Sequence, residues 1–212
     1  MSQERAESSL SLPDLDVDYS EFPTFEHKDR LRWYRAHQGE QSPWWFSSSD
    51  GRFNLFSPRG TLNLGSSSTT ALRERLGPVL LGSREIPETA LAGVEVSCLE
   101  IPQLSAADFL HEAAASFGVL AADASAPMDP TYTITRRWAH TVDRAGMGGI
   151  RTRSRFGAGR DPQCLFMFGS EGEHELGDIL DSESASANTI VADMAGYNVE
   201  SVPDSGSIVI DP

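Results

Sequence analysis

The chain has 212 residues with 39% apolar and 23% charged side chains, enough for one domain with a real hydrophobic core. A formal net charge of −14 argues against RNA or DNA as a direct partner, since a polyanion is bound through basic surface that displaces its counterions. No apolar run approaches the roughly 20 residues that span a bilayer and no signal region opens the sequence, so no membrane partner and a cytoplasmic location are expected.

Residues 1–27 are acidic and serine-rich with scattered Leu, Tyr and Phe, the composition of a flexible arm or of one docked on the domain. Regular structure is expected from Arg30, where RLRWYRAH alternates like a strand. A long turn-rich stretch, SPWWFSSSDGRFNLFSPRG, follows, and loops of this length inside a compact domain tend to carry function. GTLNLG then reads as a strand feeding a helix through ALRERL, capped by Ser68, Thr69 or Thr70 and stopped at Gly77-Pro78.

Residues 94–102 have the β-branched alternation of a strand. SAADFLHEAAASFG is rich in helix formers, with Ser105 as its expected cap, and residues 123–131 form a proline-containing connection. A helix through ITRRWAHTVDRAG ends at Gly146; GIRTRSRF and the strand CLFMF follow. From Ser170 onward there are ten acidic residues and no Lys or Arg, so residues 171–212 read as an acidic extension packed on the domain, a candidate for oligomerisation, partner docking or solubility. The predicted architecture is a single mixed α/β (α+β) unit, without repeats. Cys98 and Cys164 lie in apolar runs without metal-ligand spacing, as buried reduced thiols do, and no metal is expected.

Three polar residues stand where plain packing does not require them. Arg35 interrupts an apolar strand, Glu74 follows Ala71-Leu72 in a helix, and Ser154 lies among arginines. Each also has an ordinary reading: an exposed strand residue, a solvated helix face, a hydroxyl satisfying a turn. Between Arg136 and Arg160 seven arginines face one acid, Asp143; such a strip can hold a diphosphate or pair with the acidic tail.

Taken in order, Tyr34-Arg35, the GRFN of residues 51–54, the GTLNLG of 60–65, Ala71-Leu72-Arg73-Glu74, Gly149-Ile150 leading to Ser154-Arg155, and the Cys164-Leu165 strand ending at Phe168 resemble the RES domain, over roughly residues 28–170. The resemblance implies a fold related to ADP-ribosyltransferases and a toxin of a toxin–antitoxin pair that degrades NAD⁺, cleaving the nicotinamide–ribose bond with phosphate or water as acceptor. It implies Arg35, Glu74 and Ser154 as the catalytic set, with Arg52, Phe53, Asn63 and Arg155 in substrate binding. NAD⁺ is then a substrate, inorganic phosphate a candidate co-substrate, and no resident cofactor is needed. Its implied partner is an Xre-type antitoxin protein; self-association into a homo-oligomer stays open. Mono-ADP-ribosylation of a protein and a catalytically inactive partner-binding module are the alternatives.

In such a site the carboxylate of Glu74 would stabilise an oxocarbenium-like transition state. Arg35 would bind pyrophosphate or phosphate, and Ser154 would position rather than attack, having no histidine to activate it. Family members commonly carry tyrosine where this chain has Asn63. Trp44, Trp45 or Phe53 are the residues that would supply the missing aromatic surface.

Overall fold

The computed structural model describes residues 10–27, 31–77, 79–125 and 132–201. The expected starting point at Arg30, the Pro78 stop, the 126–131 part of the connection and residues 202–212 of the acidic extension lie outside the described residues.

The strands, in chain order, are β1 (Thr24–His27), β2 (Arg32–Gln38), β3 (Trp45–Phe46), β4 (Arg59–Gly65), β5 (Glu85–Pro87), β6 (Val94–Glu100), β7 (Leu104–Asp108), β8 (Gly149–Arg153), β9 (Gln163–Ser170), β10 (Gly172–Glu173), β11 (Ala185–Ser186) and β12 (Asn198–Glu200). The helices are α1 (Ser68–Leu76), α2 (Val79–Gly82), α3 (Glu88–Leu91), α4 (Ala121–Ser125), α5 (Thr133–Arg144) and α6 (Ala187–Ala192). Eight strands make one sheet in the order β1-β7-β8-β9-β4-β2-β6-β11, antiparallel except for the parallel pair β7–β8. This is the mixed α/β unit expected from the sequence.

Alternation along the central strands sorts side chains to two faces. On β9, Leu165 and Met167 join Trp33, Leu62, Leu64 and Leu99 in one apolar cluster. Cys164, Phe166 and Phe168 face a second cluster built around Trp138 of α5, Phe53 and Phe109. A third cluster lies between β2, β6, α1 and α6.

Several expectations change. The segment 105–118 is not a helix from Ser105: β7 takes its first residues, paired with both β1 and β8, and only Glu112–Phe117 coil, as a 3-10 helix. Alanine favours helix in isolation, but the small Ala106 and Ala107 let this strand lie fully buried in the sheet. Helix α1 is capped one residue earlier than expected, by Ser67, whose Oγ accepts from the Thr70 N–H at 3.1 Å.

Of the two readings of the arm, flexible or docked, residues 10–27 follow the second. Leu10, Tyr19 and Phe22 are buried in the Trp138 cluster, and β1 forms a sheet edge. In the acidic extension, β11 pairs with β6, while Ala187, Ile190, Val191 and Met194 close the third cluster. Both cysteines are buried and free. Among the described residues no helix is long and apolar enough to cross a membrane, and no cluster of metal-ligating side chains occurs.

Candidate active site

Where β4 meets α1 the backbones nearly touch. A Cβ on Gly65 would lie 2.5 Å from the Ala71 nitrogen, so only glycine lets the helix start this close to the strand. Leu72 and Leu76 are buried in the third cluster, which turns Ala71 and Glu74, one helical turn apart, toward a cavity of about 540 Å³ at the end of the sheet.

Glu74 is the centre of the polar network. Its Oε1 accepts three hydrogen bonds: from the Ser154 hydroxyl at 2.5 Å, the Arg155 N–H at 2.7 Å and the Phe156 N–H at 3.1 Å. Its Oε2 is 3.5 Å from Nη2 of Arg52. One carboxylate oxygen thus pins the loop after β8, while the other is not used by that loop and has a guanidinium beside it.

Ser154 is buried and fully engaged, donating to Glu74 and accepting from the Gly157 N–H at 2.7 Å. A Cβ on Gly157 would fall 2.4 Å from Pro162 and 2.6 Å from the Ser154 oxygen, so this turn requires glycine. The reading of Ser154 as a hydroxyl that satisfies a turn therefore describes its contacts, and those contacts also connect it to Glu74.

Arg35 stands on the cavity wall where β2 and β4 part after a single registered pair, Tyr34 with Gly65. Its Nη1 donates to the main-chain carbonyl of Asn63 at 3.0 Å, while its buried Nε has no partner among the described residues. Burial, with Arg75 as a second cause, pushes its pKa down to about 10, which leaves the guanidinium charged at neutral pH. Asn63 sits opposite Phe166 in the β4–β9 register, and its buried side-chain oxygen is likewise unpartnered.

Arg52 is buried, donating to the Ala124 carbonyl at 3.2 Å, with its guanidinium over the rings of Phe53 and Phe166. Phe53 does not line the cavity as expected of a pocket neighbour. It is fully buried, edge-on to Phe109 and Phe166, and occupies the left-handed region at φ 62°, uncommon for a bulky residue. Thr61 holds it there, donating to the Phe53 carbonyl and accepting from the Leu55 N–H. Phe53 thereby supports Arg52 from beneath.

The cavity wall carries Arg35, Arg52, Arg75 and Arg155 against Glu74 and Asp50, a positive surface on an acidic chain. The aromatics that line it are Trp45, exposed and expected as one of three candidates, the half-buried Tyr132 and Phe156, which sequence reasoning missed, and the buried Phe166; Trp44 is buried in the core instead. Tyr132 precedes α5 in a left-handed conformation, a feature with no signature in the sequence around it. Cys164 lies on the cavity floor, and burial, then Glu74, pushes its thiol well up, so it is neutral.

Among the described residues the ion pairs of the basic strip are not made to the acidic tail. Arg136 meets Asp50, Arg151 meets Asp108 and Arg153 meets Asp161.

A search of curated proteins found no match. A chain in the crystal structure of the M. tuberculosis MbcT-MbcA toxin-antitoxin complex has the same fold, with a TM-score of 0.59 at 15% identity over 80% of this chain and 90% of that one. The RES domain family model matches residues 32–184, past the boundary expected at residue 170 and across Arg35, Glu74 and Ser154. The network that joins Glu74 to Ser154 beside Arg35 is therefore built from residues within that match, and the chain belongs to the RES domain family.

Proposed function

We propose that the protein cleaves the nicotinamide–ribose bond of NAD⁺, with inorganic phosphate or water as acceptor. The observation that carries this reading is a cavity lined by four arginines in which one carboxylate, Glu74, is held through Oε1 by three donors while Oε2 has only the Arg52 guanidinium beside it. Departure of nicotinamide leaves positive charge on the ribose, and a fixed carboxylate oxygen stabilises that charge without having to reorganise. The arginines suit the substrate's pyrophosphate: Arg35 and Arg155 can donate paired, charge-assisted hydrogen bonds to it, and Trp45 or Tyr132 can stack on a base.

On this reading the reactive group is Glu74, Arg35 binds phosphate oxygens, Ser154 acts by holding Glu74 in place, and Arg52 balances the carboxylate's charge. Asn63 takes part through its main chain, which orients Arg35. The shared fold with a chain of a toxin–antitoxin complex supports the further proposal that the enzyme is a toxin neutralised by an Xre-type antitoxin.

Incubation with NAD⁺, with and without phosphate, followed by mass spectrometry of the products, tests the chemistry. Free nicotinamide is expected. An additional phosphorylated ADP-ribose product would identify phosphate as acceptor, and label on protein would point to transfer. Glu74→Gln keeps an oxygen for the three donors but loses the charge, so turnover should fall about 100-fold or more with the fold intact. Full activity in that variant would remove Glu74 from the chemistry.

A further inference from the structure

Arg136 lies outside the motifs that define the site, yet it is the best-connected arginine of the basic strip. Its side chain is 8% exposed, and its guanidinium donates to Asp50 Oδ1 at 2.5 Å, the Asn54 carbonyl at 3.2 Å and the Ser48 carbonyl at 3.4 Å. Its Cζ also lies 3.8 Å from the centre of the Phe56 ring. Every one of these contacts is to the segment 48–56, which reaches α5 from more than eighty residues earlier in the chain.

That segment forms one wall of the cavity, contributing Ser49, Asp50, Arg52 and Asn54. A buried cation that served only the core would spread its donors over the elements packed around it. Arg136 commits its polar contacts to a single loop.

The charge argument points the same way. Asp50 lines a cavity that on the present reading admits a dianionic pyrophosphate, and an unpaired carboxylate there would repel it. Pairing with Arg136 offsets part of that charge, Asp50 itself being largely exposed to solvent.

We propose that Arg136 is a positioning residue that fixes the 48–56 wall of the cavity and masks Asp50, and so sets the affinity for the dinucleotide without touching the reacting bond. This rests on NAD⁺ being the substrate.

Arg136→Met keeps the aliphatic stem over Phe56 and removes the donors. In this variant KM for NAD⁺ should rise about tenfold or more, with kcat within about threefold, the pattern of lost binding that is common to ground and transition states. Amide hydrogen exchange over residues 48–56 should speed up while the core strands keep their protection. Arg136→Lys, which retains charge and one contact but not the fork, should lie between the two in both measurements and carries the test if the Met variant does not fold.

Unchanged KM, or a loss confined to kcat, would overturn the proposal, as would unchanged exchange in the loop. If the unmodified protein neither binds nor consumes NAD⁺, the substrate reading has failed, and the exchange data still decide whether Arg136 holds the wall.

Discussion

Two loops wall the cavity, and each is held by one charged side chain reaching from a helix. The loop after β8 is gathered by an anion, Glu74 of α1, through a hydroxyl and two backbone N–H groups. The 48–56 loop is gathered by a cation, Arg136 of α5, through a carboxylate and two backbone carbonyls. The signs follow from which backbone groups each loop turns inward, since N–H groups require an acceptor and carbonyls a donor. The difference lies in what remains available: Glu74 has a second oxygen that its loop does not use, whereas the donors of Arg136 are committed to the loop. One tie can take part in chemistry, and the other can only shape the vessel.

The largest expected break in this comparison comes from Glu74→Ala. Unlike Gln, alanine offers no acceptor, so turnover and order in the 154–157 loop should be lost together. Activity assays and amide exchange on the two variants side by side check this, and loop protection retained in the Ala variant would show that the loop does not depend on Glu74.

A smaller effect is expected from Ser154→Ala, which strands the Gly157 N–H and removes one of the three donors to Glu74. Urea unfolding should report a loss of about 1–3 kcal/mol, and turnover should fall less than in Glu74→Gln. A turnover loss equal to that of the Glu74 variant would instead give the hydroxyl a direct chemical part.

The smallest effect concerns His140 on α5, whose Nε2 accepts from the Phe56 N–H at 3.3 Å and whose ring stacks on that of Phe56. Burial lowers its pKa, Asp143 opposes the shift and Arg136 adds to it. With the folded value below the unfolded one, the unfolded chain takes up the proton first as pH falls. Stability contributed by neutral His140 is therefore present above the ordinary histidine value near 6.5 and is lost as pH drops below it. His140→Asn should show a shallower decline in stability between neutral and mildly acidic pH than the parent chain, and parallel declines would exclude the histidine as a contributor.

Much of the fold was legible from the sequence, because β2 and β6 announce themselves by alternation, β4 and β9 as short strand-forming runs, α1 by its cap and glycine stop and α5 by its glycine stop. β7 was not, because its alanines favour helix locally and only pairing with strands distant in sequence makes it extended. The three candidate site residues could be picked out by their order along the chain. That order gave no means of seeing that Ser154 serves Glu74 while Arg35 bonds to the main chain of Asn63, since both depend on loop geometry. Phe53 was misplaced for a related reason: its left-handed backbone turns the ring inward and Arg52 toward the cavity. Arg136 looked like one arginine among seven, with nothing in the residues around it to single out its reach to a loop more than eighty positions away.

The docked arm separates the unit of homology from the unit of folding. The family match begins at residue 32, but Leu10, Tyr19 and Phe22 are packed against Trp138, whose indole N–H donates to the Ser11 carbonyl at 2.7 Å. Each buried side chain of this size contributes about 1.5–3 kcal/mol. Trimming the chain to its recognisable domain would strip one end of α5 of its cover, leave the indole donor without its partner and expose β7 as a new sheet edge. A shortened version that precipitates would thus say nothing against the proposed activity, because the acidic arm is part of what covers α5, the helix that carries Arg136.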